Sequence, residues 1–292
     1  MKFQTSITTL AAILAATHLL QAEIPVKAGD KVAFLGDSIT QQGQGSPGGY
    51  VQLVGSGLAA NGVQIEIIGA GISGHKSNQM LERLDRDVLS KKPQWMTLSC
   101  GVNDVWHGPN GVPLEDYKKN ITAIVDKAQA ADVKVVLLTS TMIKEDQSNP
   151  ENQKLIGYNE FLRALAKEKK CLLADLNADM QAALAAAVKA QPKPAKGNYL
   201  TADGVHMAAA GNQMMATGVL KGFGLNAAEL AKAANAWLDI PNVANVTAKM
   251  ALTQRQANQL ERLAAERKVS VDKLINAEFT KVMETLLKTS KR

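Results

Sequence analysis

The segment KVAFLGDSIT, Lys31 to Thr40, decides the fold. Its first half, Lys31–Leu35, is a continuous apolar run, and the Gly36-Asp37-Ser38 that follows breaks it with turn and helix-cap residues. Four more such runs recur along the chain: Val63–Ile68, Gln94–Cys100, Lys134–Thr139 and Cys171–Asp175. Runs that do not alternate with polar residues read as strands buried on both faces. Between them, Leu114–Ala130 and Glu151–Lys169 carry apolar residues at helical spacing. Strand–helix alternation implies parallel strands, and right-handed crossovers then give a three-layer α/β/α sandwich around a five-stranded sheet. In that architecture functional groups gather where strand C-terminal ends meet the loops.

Composition narrows the classes. The 292 residues are 46% hydrophobic and 21% charged, with 22 Gly and 9 Pro, which excludes a disordered or collagen-like chain. Aromatics are 4%, too few to favour a reader of single-stranded nucleic acid by stacking. The net charge of +6 is local: residues 241–292 hold 10 Lys+Arg against 5 Asp+Glu, leaving 23 against 22 for residues 1–240. A balanced body has no need of a polyanionic substrate. Two cysteines, Cys100 and Cys171, are too few for a disulfide scaffold or a thiolate zinc site, and at opposite edges of a parallel sheet they read as separate buried thiols, with a disulfide between them in an exported chain as the alternative.

Residues 1–22 have the order of a secretory leader: Lys2, an apolar run from Ile7 to Leu20, then Leu20-Gln21-Ala22. Cleavage is expected after Ala22, and the mature chain is expected outside the cytoplasm, periplasmic or secreted. The run is shorter than the roughly 20 residues that span a bilayer, and no later stretch is longer, so no transmembrane segment is expected.

Four segments after the strands carry chemistry: Gly36-Asp37-Ser38-Ile39-Thr40, Gly69-Ala70-Gly71-Ile72-Ser73-Gly74-His75, Gly101-Val102-Asn103-Asp104 and Asp203-Gly204-Val205-His206. A hydroxyl nucleophile needs a base, and the histidines left after the leader are His75, His107 and His206; a carboxylate stands three residues before two of them, Asp104 before His107 and Asp203 before His206, and the second pair is taken as the base and its partner. Asp203 can therefore bond Nδ1–H of His206 and leave Nε2 toward Ser38. The backbone N–H groups of Ser38 and Gly74 and the side-chain amide of Asn103 supply oxyanion donors. Singly each segment also has a plain structural reading: a helix cap, a packing glycine, turn chemistry, and a surface turn that happens to hold a histidine. Gly211 is expected to close a short helix starting near Met207. The G-x-G-x-x-G of Gly69–Gly74 follows a strand, yet no acidic residue ends the next one, which disfavours a dinucleotide. The G-x-S-x-G elbow and the P-loop are absent.

Together and in this order the four segments resemble the blocks of the SGNH (GDSL) hydrolase family of serine esterases and lipases, over about residues 29–222. The resemblance implies a flavodoxin-like sheet of order 2-1-3-4-5, Ser38 as nucleophile, Gly74 and Asn103 as oxyanion donors, His206 as base with Asp203, and neither metal nor organic cofactor. It departs at Gly69, where the family's second block often opens with Asn. Around the blocks, Gly36–Gly43 and Gly101–His107 look more like exported bacterial carbohydrate esterases than lipid-active members. Asp37, His75, Trp106 and His107 are the expected substrate contacts; Trp106 and His107 form a stacking and hydrogen-bonding wall for a sugar, unless Trp106 only packs its loop. The expected function is hydrolysis of an O-acetyl ester on a small-molecule or polysaccharide carbohydrate. A lysophospholipase or thioesterase on the same machinery and a noncatalytic glycan- or envelope-binding protein are the alternatives.

Beyond about Gly224, where the hydrolase domain (23–224) is expected to end, the pattern is helical and basic. Thr253 and Gln256 cap one helix, and Ser270 caps a second with Val271, Leu274, Ile275, Phe279, Val282, Met283 and Leu286 on one stripe. With Val246–Leu252 this extension, 225–292, resembles ribbon-helix-helix modules of DNA-binding dimers. Export argues against nucleic acid, so the stripe is expected to dock on the body or to join copies into a homo-oligomer, with an anionic envelope or polysaccharide surface as the next option.

Overall fold

A computed structural model describes residues 24–192, 197–241 and 251–289. The leader, 1–22, and most of Val246–Leu252 lie outside the described residues. The chain divides into two compact units, one reaching Val243 and one from Ala244 onward.

The first unit holds five strands: β1 (Lys31–Gly36), β2 (Glu66–Gly71), β3 (Trp95–Ser99), β4 (Lys134–Leu138) and β5 (Leu172–Ala174). All are parallel, in the order β2-β1-β3-β4-β5. The helices are α1 (Ser38–Gly45), α2 (Tyr50–Ala60), α3 (Ser77–Glu82), α4 (Leu84–Asp87), α5 (Val102–Trp106), α6 (Leu114–Ala130), α7 (Pro150–Glu168), α8 (Leu176–Ala190), α9 (Ala209–Gly222) and α10 (Ala227–Trp237). α1, α2, α8, α9 and α10 form one layer and α3, α6 and α7 the other. Val32 to Leu35 and all of β3 are buried, which explains why these strands read as unbroken apolar runs. No described helix is long and apolar enough to cross a membrane.

Three sequence expectations shift. β2 runs to Gly71 instead of ending at Ile68, because Gly69 and Gly71 are strand residues whose missing side chains admit α1: a Cβ on Gly71 would meet the backbone of Thr40 and Gln41, and one on Gly69 the side chain of Gln44. Gly211 does not close a helix. It sits in the first turn of the 14-residue α9 against the carbonyl of Leu200, and the left-handed glycine past that helix is Gly224, φ 88°. Residues 225–241 group with the body: α10 packs on α2, with Ala233 and Trp237 against Gly57 and the Trp237 indole N–H donating to the Leu53 carbonyl at 2.9 Å.

The second unit is a helical hairpin of α11 (Gln254–Glu266) and α12 (Val271–Thr289), with the expected Thr253–Gln256 capping box. Ala264 and Leu274 are buried, whereas Val282 and Leu286 of the stripe are exposed. Both cysteines are free; Cys100 is buried and Cys171 half-buried.

Candidate active site

The register of β1 with β2 and β3 sets Gly36 beside Gly71 and Leu35 beside Leu98, so the loops after these strands open at one end of the sheet. Asp37 caps α1, its Oδ1 accepting the Ile39 N–H at 2.9 Å, and Ser38 is the first helical residue. From the other side of the sequence, Asp203 to His206 form a tight turn around Gly204, φ 98°, a conformation glycine adopts without strain. Asp203 Oδ1 accepts the N–H groups of Val205 (3.0 Å) and His206 (2.8 Å). The other oxygen, Oδ2, accepts His206 Nδ1–H at 2.6 Å, and Ser38 Oγ stands 2.8 Å from His206 Nε2. Partial burial pushes the Asp203 carboxyl up, but the ring and backbone hydrogen bonds outweigh it and hold it at about 2. An ionised Asp203 fixes the tautomer with Nε2 unprotonated, so Ser38 O–H donates to a ring nitrogen able to take its proton.

Ser38, Gln42, Ser73, Gly74, Asn103, Trp106, His107, Gly108 and His206 line one cleft of about 620 Å³. Gly74 has φ 75° and nothing within 4 Å of the position a Cβ would take. Asn103 Nδ2 donates to the His75 carbonyl (3.2 Å) and, at 3.4 Å, to Asp37 Oδ2, while its Oδ1 accepts from His107 Nε2 at 3.2 Å. At 3.2 and 3.4 Å these bonds leave the amide oriented yet weakly engaged. The structure thus brings together Ser38, Gly74, Asn103, Asp203, His206, Trp106 and His107.

Asp37 and His75, expected at the substrate, are placed as supports. Asp37 is 2% exposed beneath the Ser38 turn. Burial pushes its carboxyl up to about 6, helped by the Asp104 charge and opposed by the Ile39 N–H and His206. The folded chain therefore holds this proton more tightly than the unfolded one. That contribution, about 3 kcal/mol, is fully present below about pH 4 and lost as pH rises through about 6. Asp37→Asn keeps the Oδ1 acceptor and removes the charge, so its melting temperature relative to wild type is expected to climb between about pH 4 and 7. Melting curves at a series of pH values check this, and a pH-independent difference would contradict it.

His75 sits outside the cleft lining, its Nδ1 accepting Nε–H of Arg83 at 3.1 Å. Burial and then the Arg83 charge lower its pKa. Arg83 itself, 3% exposed, was missed in the sequence. It donates to the Gly36 carbonyl (2.8 Å), the Ala70 carbonyl (2.8 Å) and Asp87 (3.0 Å), tying the ends of β1 and β2. Its signal was a lone cation between the core residues Met80 and Leu84. Gln41 was missed too; its Oε1 accepts both the N–H (2.8 Å) and the hydroxyl (2.6 Å) of Ser73. Asp104, which burial pushes up, accepts Ser77 N–H and Oγ–H at 3.0 and 2.6 Å and anchors α3. Among the described residues no three His, Cys, Asp or Glu are grouped to hold a metal ion.

Residues 34–214 match the GDSL-like Lipase/Acylhydrolase family. The chain belongs to this family. Its fold is the SGNH sandwich, and its class is carboxylic ester hydrolase. An acetylxylan esterase of Geobacillus stearothermophilus is 27% identical over 218 residues, 68% of this chain and 96% of its own. The solved acetyl xylan esterase AlAXEase is 38% identical with a TM-score of 0.60, the match covering 65% of this chain and 98% of that one. The solved Axe2 from G. stearothermophilus is 26% identical with a TM-score of 0.61, covering 69% and 97%. Variants of Axe2 described as catalytic mutants replace a serine, an aspartate and a histidine, the last two three positions apart. In this GDSL-family chain Asp203 and His206 have the same spacing.

Proposed function

We propose that this GDSL-family hydrolase is an exported serine esterase that removes O-acetyl groups from carbohydrate. The supporting observation is the continuous relay from Asp203 Oδ2 through His206 to Ser38 Oγ, at 2.6 and 2.8 Å. Ser38 Oγ attacks the acetyl carbonyl carbon while His206 Nε2 takes the hydroxyl proton. The resulting oxyanion is held by the N–H groups of Ser38 and Gly74 and by Asn103 Nδ2. The carbon–oxygen bond to the sugar breaks as His206 returns the proton to the departing alcohol oxygen. A water, deprotonated by His206, then attacks acetyl-Ser38, and acetate leaves with Ser38 restored.

The carbohydrate part of the reading rests on the cleft and on the relatives named above. Trp106, 40% exposed within the lining, offers an apolar face to a sugar ring, and Gln42, Ser73 and His107 offer hydrogen bonds around it. The expected result is acetate release from acetylated xylo-oligosaccharides and faster turnover of acetyl than of long-chain acyl p-nitrophenyl esters. A preference for long chains would favour the lysophospholipase or thioesterase alternative, and inactivity on all esters the glycan-binding one. The amphipathic pattern of the C-terminal helices supports contact between copies; a monomer in sedimentation would remove that part.

A further inference from the structure

The β4–α7 loop carries two successive non-glycine residues in the left-handed region, Lys144 (φ 58°) and Glu145 (φ 49°). Such backbone costs on the order of 1–3 kcal/mol per residue and persists only where its surroundings enforce it. Here Asn152 of α7, 2% exposed, grips the loop. Its Oδ1 accepts Ile143 N–H at 2.8 Å and its Nδ2 donates to the carbonyls of Ile143 and Asp146 at 2.7 and 2.5 Å.

The strained turn delivers the Glu145 carboxylate to a distant stretch of chain. Oε1 accepts the N–H groups of Leu200 (2.8 Å) and Thr201 (2.7 Å) and the Thr201 hydroxyl (2.7 Å), while Oε2 accepts Tyr199 N–H at 2.9 Å. Leu200 and Thr201 are 4% and 3% exposed, so their N–H groups have no access to bulk water as substitutes. This stretch is one arm of a small hairpin: Thr201 bridges Met207, Ala202 N–H donates to the His206 carbonyl at 2.8 Å, and Ala208 N–H to the Leu200 carbonyl at 2.9 Å. Asp203 and His206 lie at its tip, where Lys144 N–H also donates to the Gly204 carbonyl at 2.6 Å.

We propose that Glu145 is a positioning residue for the esterase: by clamping the base of the 199–208 hairpin it sets where the His206 imidazole meets Ser38. The assignment rests on the proposed esterase reading. Its energetic logic is that a carboxylate spends all four hydrogen bonds on one arm of the loop that carries the base, and that a displacement near 1 Å at the base costs about 10²-fold in rate.

The test compares wild type with Glu145→Ala, Glu145→Gln, Ser38→Ala and, as a control for lost stability, Arg163→Ala, which breaks the ion pair to Asp175 (2.8 Å) away from the cleft. Readouts are kcat and KM on p-nitrophenyl acetate, melting temperature, and the downfield proton resonance of the His206 Nδ1–H bonded to Asp203. Glu145→Ala is expected to lower kcat about 10²-fold with KM within about 3-fold, and to lose the resonance. Glu145→Gln keeps an oxygen for the three Oε1 bonds, so it is expected to fall less and to retain the resonance. Arg163→Ala is expected to melt earlier and keep both. The proposal is overturned if Glu145→Ala retains kcat and the resonance, or if Arg163→Ala at equal loss of melting temperature loses them equally. No turnover by wild type, or equal turnover by Ser38→Ala, would instead strike the esterase reading, and the resonance would still report on Glu145.

Discussion

Ser38→Ala is expected to lower kcat on a short acetyl ester by on the order of 10⁵–10⁶-fold while the protein melts where wild type does. The side chain of Ser38 makes one hydrogen bond, to His206 Nε2, and its backbone N–H, which survives the substitution, belongs to the oxyanion set. What disappears is the atom that forms the acyl-enzyme. His206→Ala should cost a similar factor, since an unassisted hydroxyl is a poor nucleophile. The double variant should be no worse than either single one, because serine and imidazole act as one unit. A double variant with the product of the two losses would mean that the residues act independently, which a 2.8 Å donor–acceptor pair should not do. Single-turnover rates of the three proteins decide it.

Asp203→Asn is the second large effect, on the order of 10³–10⁴-fold in kcat, and its cause is the imidazole tautomer. An asparagine at 203 keeps the oxygen that accepts the N–H groups of Val205 and His206. Its amide nitrogen then replaces the oxygen that accepts His206 Nδ1–H. Two donors would face each other, so His206 must carry its proton on Nε2, pointed at Ser38, and cannot act as a base. Asp203→Ala, which leaves room for water at a half-exposed position, should lose less than the asparagine variant. Steady-state kinetics on both variants check the order, and an asparagine variant more active than the alanine one would contradict the tautomer argument.

The parts of this protein legible in the sequence are those with local or periodic signals. β1, β3 and β4 announce themselves because both faces are buried, and α6 falls on the expected Leu114–Ala130 because its apolar spacing is regular. The Asp203–His206 spacing was readable since three residues suffice for the turn that joins them. Other features depend on what packs from afar. Gly69 and Gly71 look like turn residues until α1 is laid against β2. The body's continuation past Gly224 depends on Trp237 finding Leu53, 184 residues away. Glu145 had no signal, because a carboxylate in a polar loop looks solvated until residues 199–201 arrive to donate their N–H groups. Asp37 and His75 do not line the cleft, because adjacency to Ser38 and Gly74 does not reveal that Asp37 is buried as a helix cap and that His75 is engaged by Arg83.

The most direct test of the Ser38–His206 pairing is peptide mapping by mass spectrometry after treatment with a p-nitrophenyl phosphonate, with residual esterase activity followed in parallel. One label per chain on Ser38, rising in step with the loss of turnover and absent from His206→Ala over the same interval, is the predicted result. Complete inactivation with the label elsewhere, or full turnover by a chain labelled at Ser38, would contradict it.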